Sequence, residues 1–585
     1  MTALPETARE RLRRHLLSLY EDAAADVLAR LSDRLQGFLA QRAHVAPRRE
    51  PLSECTVVVI AYGDHVHEPG APPLRTLGDV LHRTADGLIS DVHVLPFFPY
   101  SSDDGFSVVD YERVDPALGD WQDVRHLADR FGLMVDLVIN HVSAESRWFQ
   151  GFLEADPTYA DFFIVVGADA DLSEVVRPRA LPLLTPFETA DGVKHVWTTF
   201  SADQIDLNYA NPEVLLRMLD VLLLYVSEGA TLIRLDAVAF LWKEIGGPCI
   251  HCEETHRIIK LMRAVLDIVA PEVLLVTETN VPHEENIAYF GDGSDEAQLV
   301  YQFPLPPLVV DALHHGDARA LTAWGRDLQP PSGQATFFNF LASHDGIGLR
   351  PLEGLLDPER VDRIVERTLA HGGRVSYKHD LDGRESAYEL NISFFDALSN
   401  PFGDESLDIQ VRKFITAHAI MLSLAGVPGI YFHSLFGSRS WRDGVELRGT
   451  NRAINRERLT QASLLADLQN PASVRSRVFD GFQALLRARG SSASFHPHAL
   501  QRVVDLDPRL FTVLRGDAPG ARVLCLHNVS AEPVAVSPDA VRRAVDIASP
   551  LADLLASEHP SGRAPASNGL TLRPYDTAWL TEASG

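Results

Sequence analysis

The chain has 585 residues, 46% of them apolar, which is enough for a large core and for more than one domain. Its 80 acidic residues against 53 basic ones leave a formal charge of −27, which opposes binding to nucleic acid or to an anionic membrane surface. No apolar run approaches the length of a bilayer-spanning helix, and the opening MTALPETARERLRRHLLSLY lacks the apolar core and cleavage site of a signal peptide, so a soluble, cytoplasmic protein is expected.

Residues 1–50 are rich in Ala, Leu and Arg and predict two amphipathic helices packed on the outside of the main domain. From residue 56, short β-rich runs alternate with helical patterns. They are TVVVI (56–60), DVHVLPF (91–97), LMVDLVI (133–139), TLIRLDA (231–237), VLLVTE (273–278), QLVYQF (298–303), TFFNFLA (336–342) and PGIYFH (428–433). Strand and helix repeated eight times predict an α/β fold, a closed parallel (β/α)8 TIM barrel with inserted loop domains. About ninety residues separate the third run from the fourth, far more than one crossover helix requires. Residues 142–205 are therefore expected to form an inserted domain, and 346–400, with GGRVSYKHDLDGRESAYELN, a second excursion over the mouth. The barrel itself takes 51–141, 206–345 and 401–494. After 495 the short runs RLFTVLRG and ARVLCLHNVS predict a C-terminal antiparallel β domain to 585.

Four cysteines, Cys55, Cys249, Cys252 and Cys525, are too few and too scattered for a disulfide framework. Cys249 and Cys252 form a C-x-x-C without a second pair or a suitably spaced histidine motif, so neither a metal nor a redox role is assigned.

In TLIRLDAVAF (231–240), Arg234 and Asp236 stand two apart and share one face of the strand. An isolated pair of this kind is a structural ion pair at a strand end. Here DLVINHVS (136–143), LLVTETN (274–280) and FFNFLASHDG (337–346) also end apolar runs in ionisable groups, and such ends gather at one face of a parallel barrel. Asp236, Glu278 and Asp345 should therefore converge. Two carboxyls about 5 Å apart suit retaining glycoside chemistry, one as nucleophile and the other as acid/base. Arg234 would favour an ionised Asp236, while Glu278, following an apolar run among Thr277, Thr279 and Asn280, suits a proton donor.

Together these stretches resemble the signatures of the α-amylase superfamily, glycoside hydrolase family 13. DLVINH, with Asp136, Asn140 and His141, is similar to the first signature, LIRLDA to the second, VTETN to the third, and ASHDG, with His344 and Asp345, to the fourth; the likeness spans residues 55 to about 460. The resemblance implies Asp236 as nucleophile and Glu278 as acid/base. It also implies Asp345 as stabiliser of the oxocarbenium-like transition state, with His141, Arg234 and His344 gripping the sugar.

Within the superfamily, LPFFPYSSDDGFSVVDY (95–111), VVRPRALPLL (175–184), YELN (388–391) and AINRE (453–457) resemble the sucrose phosphorylase subgroup. That resemblance implies that Asp104, or its neighbour Asp103, closes with Arg456 around the 4- and 6-hydroxyl end of the glucosyl unit, that Arg179 binds phosphate, and that Tyr388 sits on a mobile loop. Asn280 stands where the subgroup carries histidine, and HDGIGLRPLEGLL (344–356) resembles relatives acting on glucosylglycerate or similar glucosides.

The implied activity is a retaining α-glucoside phosphorylase working on a small α-glucoside and inorganic phosphate, without a cofactor. Sucrose, sucrose 6-phosphate and glucosylglycerol remain alternative donors, hydrolysis and transglucosylation remain alternative reactions, and oligomeric state is open. A catalytically silent barrel ranks below these because none of the three acids is lost. Arg350, Arg374, Lys378, His379 and Arg384, partly offset by Asp380, Asp382 and Glu385, suit an anion at the acceptor side, either phosphate or a carboxylate such as glycerate.

Overall fold

The computed structural model describes residues 4–42, 51–167, 169–178, 181–379, 385–518, 521–545, 551–556 and 570–582. Eight parallel strands close a barrel: β1 (Val58–Ala61), β2 (Asp91–Val94), β3 (Gly132–Val138), β4 (Ala230–Asp236), β5 (Leu274–Thr277), β6 (Leu299–Tyr301), β7 (Thr336–Phe340) and β8 (Val427–Tyr431). Neighbours in sequence are neighbours in the barrel, and β8 pairs with β1. Each strand falls inside or beside one of the eight apolar runs. The strands are Val-, Ile- and Leu-rich because both faces are covered, one by the barrel interior and one by helices; every residue of β4 is buried.

The helix 212–227 begins with Pro212 in its first turn and with the Asn211 side chain accepting from the Glu213 amide, satisfying a backbone donor that the helix itself cannot pair. Asp120 closes a capping box on the helix 121–128 in the same way. The N-terminal helices Glu6–Tyr20 and Ala24–Arg42 lie against the barrel's outer helices. They bury Leu12, Leu16, Leu31 and Leu35 at helical spacing. Polar ties at the edge are Arg11 to Asp267 at 2.5 Å, Arg34 to Asp220 at 3.0 Å and the Tyr20 hydroxyl donating to Tyr209 O at 3.0 Å.

Two long excursions stand at the C-terminal ends of the strands. Between β3 and β4, His141–Ser143 pairs antiparallel with Gln204–Asp206, and a hairpin of Leu184–Thr189 with Gly192–Trp197 lies beyond. After β7, Ile347–Gly348, Glu385–Asn391 and Arg374–His379 make a small antiparallel sheet in that order. The C-terminal segment forms a five-stranded antiparallel sheet in the order Gln501–Val504, Leu510–Arg515, Val523–Asn528, Thr577–Glu582, Leu551–Asp553. Arg515 from that sheet is fully buried and donates to Ser423 O at 3.0 Å and His496 O at 2.9 Å, joining it to the barrel.

The four cysteines are free thiols: Cys249 is buried with its Sγ 3.2 Å from Glu244 O, and Cys252 Sγ lies 3.7 Å from Trp242 O. Among the described residues no helix is long and apolar enough to cross a membrane.

Candidate active site

Strand register brings the acids together. Asp136 on β3, Arg234 on β4 and Val276 on β5 are paired across the sheet, and paired residues of adjacent strands face the same side. Two residues further on, Asp236 and Glu278 leave the barrel side by side, and the Glu278 amide donates to Leu235 O at 3.3 Å, prolonging the ladder. Ala237 then turns the chain at φ 50°, a left-handed conformation costing roughly 1–2 kcal/mol for a residue with a Cβ. In that turn the Ala237 amide donates to Glu278 Oε2 at 3.3 Å, so the strain sits where it orients the Glu278 carboxyl.

Arg234 is the hub. Its Nη1 lies 2.5 Å from Asp136 Oδ1 and 2.9 Å from Asp236 Oδ1, and its Nη2 lies 3.7 Å from Glu278 Oε2. Asp136 is itself fully buried and bridged to His93 Nε2 at 2.7 Å. A buried guanidinium is tolerated because carboxylates surround it, and those carboxylates hold its pKa well above the ordinary value.

Charge and burial act differently on the three acids. Burial pushes the Glu278 carboxyl up to about 7; Arg234 opposes this, while the nearby charges of Asp236 and Asp345 add to it. Burial also raises Asp236, against Arg234 and His141. Arg234 thus pulls Asp236 toward the ionised form as the sequence predicts, yet desolvation is the larger effect. Asp345 goes the other way: despite burial, Arg452, then Arg456 and Arg234, hold it well below the usual carboxylate range. Of the three, Glu278 is the acid raised to about 7, within reach of neutral pH.

At the far end, Asp103 and Asp104 occupy consecutive left-handed positions, at φ 52° and 47°, which Asp tolerates better than most residues. Of the two, Asp104 forms the ion pair with Arg456, while Asp103 accepts from the Gln204 side chain through Nε2 at 3.2 Å. Arg456 also donates through Nε to His344 O at 3.0 Å and lies 5.4 Å over the Tyr62 ring. The His344 ring stacks on Phe106 with centroids 4.8 Å apart and 7° between planes. Burial pushes the His344 pKa down to about 3, so it is neutral. His141, also buried, has Nε2 2.8 Å from Phe106 O.

A cavity of about 190 Å³ opens from Glu278 and Asp345 toward the two excursions. Asn280, Arg350, Lys378 and Tyr388 line it, as do Arg177 and Pro178. A Cβ on Gly348 would stand 2.9 Å from Asn280 Nδ2, so residue 348 must lack a side chain for Asn280 to lie as it does. Arg350 Nη2 is 3.9 Å from Glu285 Oε2, which His251 Nε2 also approaches at 3.1 Å. Arg374 is turned onto Gly373 O at 3.5 Å and is not among the residues lining the cavity, contrary to the expectation of a five-residue basic cluster at the mouth. Arg179, Asp380, Asp382 and Arg384, and the side chain of His379, lie outside the described residues.

Comparison with known proteins agrees with this fold. The profile of the alpha-amylase catalytic domain matches residues 88–345. Over 582 residues, covering 100% of both chains, the sequence is 50% identical to a glucosylglycerate phosphorylase of Allomeiothermus silvanus. The chain belongs to the α-amylase family. Within that family it is 45% identical to a glucosylglycerate phosphorylase of Escherichia coli, over 94% of this chain and 96% of the relative. It is 31% identical to a sucrose phosphorylase of Agrobacterium vitis, over 75% and 89%. The fold is shared with the crystal structure of sucrose 6F-phosphate phosphorylase from Thermoanaerobacter thermosaccharolyticum. The TM-score is 0.70 at 24% identity, covering 83% of this chain and 96% of that one.

Several contacts of this α-amylase-family site escape the sequence reading. The Lys243 side chain is buried, with Nζ 2.6 Å from Asp206 and 2.8 Å from Asn140 Oδ1, tying the first excursion to the loop after β4. Phe106 and Tyr301 each place a ring 5.6 Å from the Arg234 guanidinium. Arg452 lies 2.5 Å from Asp345 and pairs with Glu389. Its signal was the spacing in NRAINRE, where Arg452 and Arg456 stand four apart.

Proposed function

We propose that the protein is a retaining α-glucoside phosphorylase that converts 2-O-α-glucosylglycerate and inorganic phosphate to α-glucose 1-phosphate and glycerate. The observation that carries this reading is the 50% identity over the whole chain to a relative named for that activity, against 31% over three quarters of it for a sucrose phosphorylase. In the first step the Asp236 carboxylate attacks C1 of the glucosyl unit, the C1–O bond to glycerate breaks, and Glu278 gives its proton to the departing oxygen. In the second, a phosphate oxygen attacks C1 from the face glycerate left, the phosphate proton passes to Glu278, and the ester to Asp236 breaks. Two inversions give net retention. Asp345 stabilises the cationic sugar of both transition states, while His141, Arg234 and His344 grip its hydroxyls and the Asp104–Arg456 pair closes its far end, with Asp103 beside it. Tyr388 borders the acceptor from the second excursion.

Glycerate and phosphate are both anions in a chain of strongly negative charge, which favours a local set of cations. Arg350, with Asn280 beside it, is assigned to the glycerate carboxylate and Arg179 to phosphate. We place the reaction in the cytoplasm, on the side of the membrane that retains a charged sugar phosphate, and read 51–141, 206–345 and 401–494 as the catalytic barrel. A side-by-side kinetic comparison tests the substrate. Glucosylglycerate should be phosphorolysed with higher kcat/KM than sucrose, sucrose 6-phosphate or glucosylglycerol, and Arg350→Ala should narrow that gap by about tenfold or more. In the same comparison Arg179→Ala should depress glucose 1-phosphate formation far more than glucose release into water. Sucrose as the best donor would reject the glycerate assignment, and equal losses of both activities would reject Arg179.

A further inference from the structure

Arg452 is the least expected member of the site. It leaves the 3-10 turn Asn451–Asn455 and reaches the cavity between two carboxylates carried by different elements. Its Nη1 stands 2.5 Å from Asp345 Oδ1, while Nε and Nη2 donate to Glu389 Oε1 at 3.2 Å and Oε2 at 2.7 Å. Glu389 is 3% exposed and sits on strand Glu385–Asn391 of the second excursion, next to Tyr388. A buried glutamate is costly unless its charge is met, and a bidentate guanidinium meets it with fixed geometry.

Resting on the proposed glucosyl transfer, we infer that Arg452 is a positioning residue for that step. Its guanidinium fixes the Asp345 carboxylate toward the sugar, and Glu389 fixes the guanidinium. Other charged and titratable groups face the same place. His344, on the neighbouring residue, has Nε2 3.5 Å from Asp345 Oδ2 and is neutral. Arg456 and Arg234 act on Asp345 from their own elements, and Glu278, Tyr62 and Tyr431 also feel its charge. Asp103 and Arg456 bear on Arg452 from the other side. Among the groups acting on Asp345, Arg452 contributes the largest attraction. Arg456 is engaged by Asp104 and Arg234 by Asp136 and Asp236, so neither is available to replace it.

The test uses α-glucosyl fluoride, whose leaving group needs neither the Glu278 proton nor a glycerate subsite, and reads kcat and KM for fluoride release separately. Asp345 acts on the transition state, so displacing its carboxylate lowers kcat and leaves KM near that of the parent. Arg452→Met should lower kcat by about 10–10³-fold with KM within about threefold of the parent. Arg452→Lys should recover most of that loss, and Glu389→Gln, which releases the guanidinium that holds Asp345, should lower kcat by a smaller factor at parental KM. A disrupted fold would lower the fraction of active sites, counted from the fluoride burst without phosphate, and leave kcat per active site unchanged. If all three variants keep the parent's kcat per active site, Arg452 has no such role. If Arg452→Met is too unstable to assay, an unchanged kcat in Glu389→Gln overturns the inference and a lowered kcat at parental KM upholds it. Failure of the parent to consume the fluoride would overturn the glucosyl-transfer reading, and Arg452's role with it; a normal parent with unchanged kcat in the variants overturns Arg452 alone.

Discussion

Asp236→Asn is expected to abolish turnover of every donor, with kcat falling on the order of 10⁴-fold or more, as when the nucleophile of a covalent mechanism is removed. The change is nearly isosteric, and Arg234 Nη1, 2.9 Å from Asp236 Oδ1, can still meet the amide oxygen. What is lost is the negative charge that attacks C1 and the capacity to form a glucosyl ester. A donor with an activated leaving group does not rescue this defect, because the missing group is the attacker. Rapid mixing with α-glucosyl fluoride, followed by mass spectrometry of the denatured protein, should find a glucosyl adduct on Asp236 in the parent and none in Asp236→Asn. Retained turnover in Asp236→Asn would reject the assignment.

Glu278→Gln separates donors that need a proton from those that do not. With glucosylglycerate the loss should be about 10²–10⁴-fold, the usual worth of a positioned general acid. With glucosyl fluoride the first step should be nearly unchanged. The parent should also show the group directly. In the proposed mechanism Glu278 is active when protonated, and burial beside Asp236 and Asp345 pushes its pKa up to about 7. As pH rises through that value the competent fraction falls, so kcat/KM for glucosylglycerate should decline above about 7. The same limb should be missing when fluoride is the donor and in Glu278→Gln with either donor. A high-pH limb that persists in Glu278→Gln would assign it to another group.

Much of the architecture is legible in the sequence because parallel strands covered on both faces are written as compact β-branched runs, and each of the eight marks a barrel strand. Asp236 and Glu278 are legible because they end such runs. Asp345 is less so: β7 stops at Phe340, and the acid is reached five residues later along a loop. The choice between Asp103 and Asp104 could not be made from adjacent letters, since it depends on two left-handed residues that turn one carboxylate to Arg456 and the other to Gln204. Arg452 stands at a visible spacing in NRAINRE, but its ion pairs were not legible, for a different reason. Its partners, Asp345 and Glu389, stand 107 and 63 residues away in the chain and meet it only once the second excursion has folded over the barrel mouth. The net direction of the Asp236 shift is likewise a balance between desolvation and Coulomb attraction that only the folded environment sets.

The most direct test of the central claim is the anomeric configuration of the first product. Glucosylglycerate and inorganic phosphate are mixed with the enzyme and followed by proton and phosphorus NMR from the earliest times. The two-step reaction through Asp236 and Glu278 predicts that α-glucose 1-phosphate appears first and in step with glycerate. β-Glucose 1-phosphate would contradict the double displacement, and free glucose formed at the same rate with or without phosphate would contradict phosphorolysis.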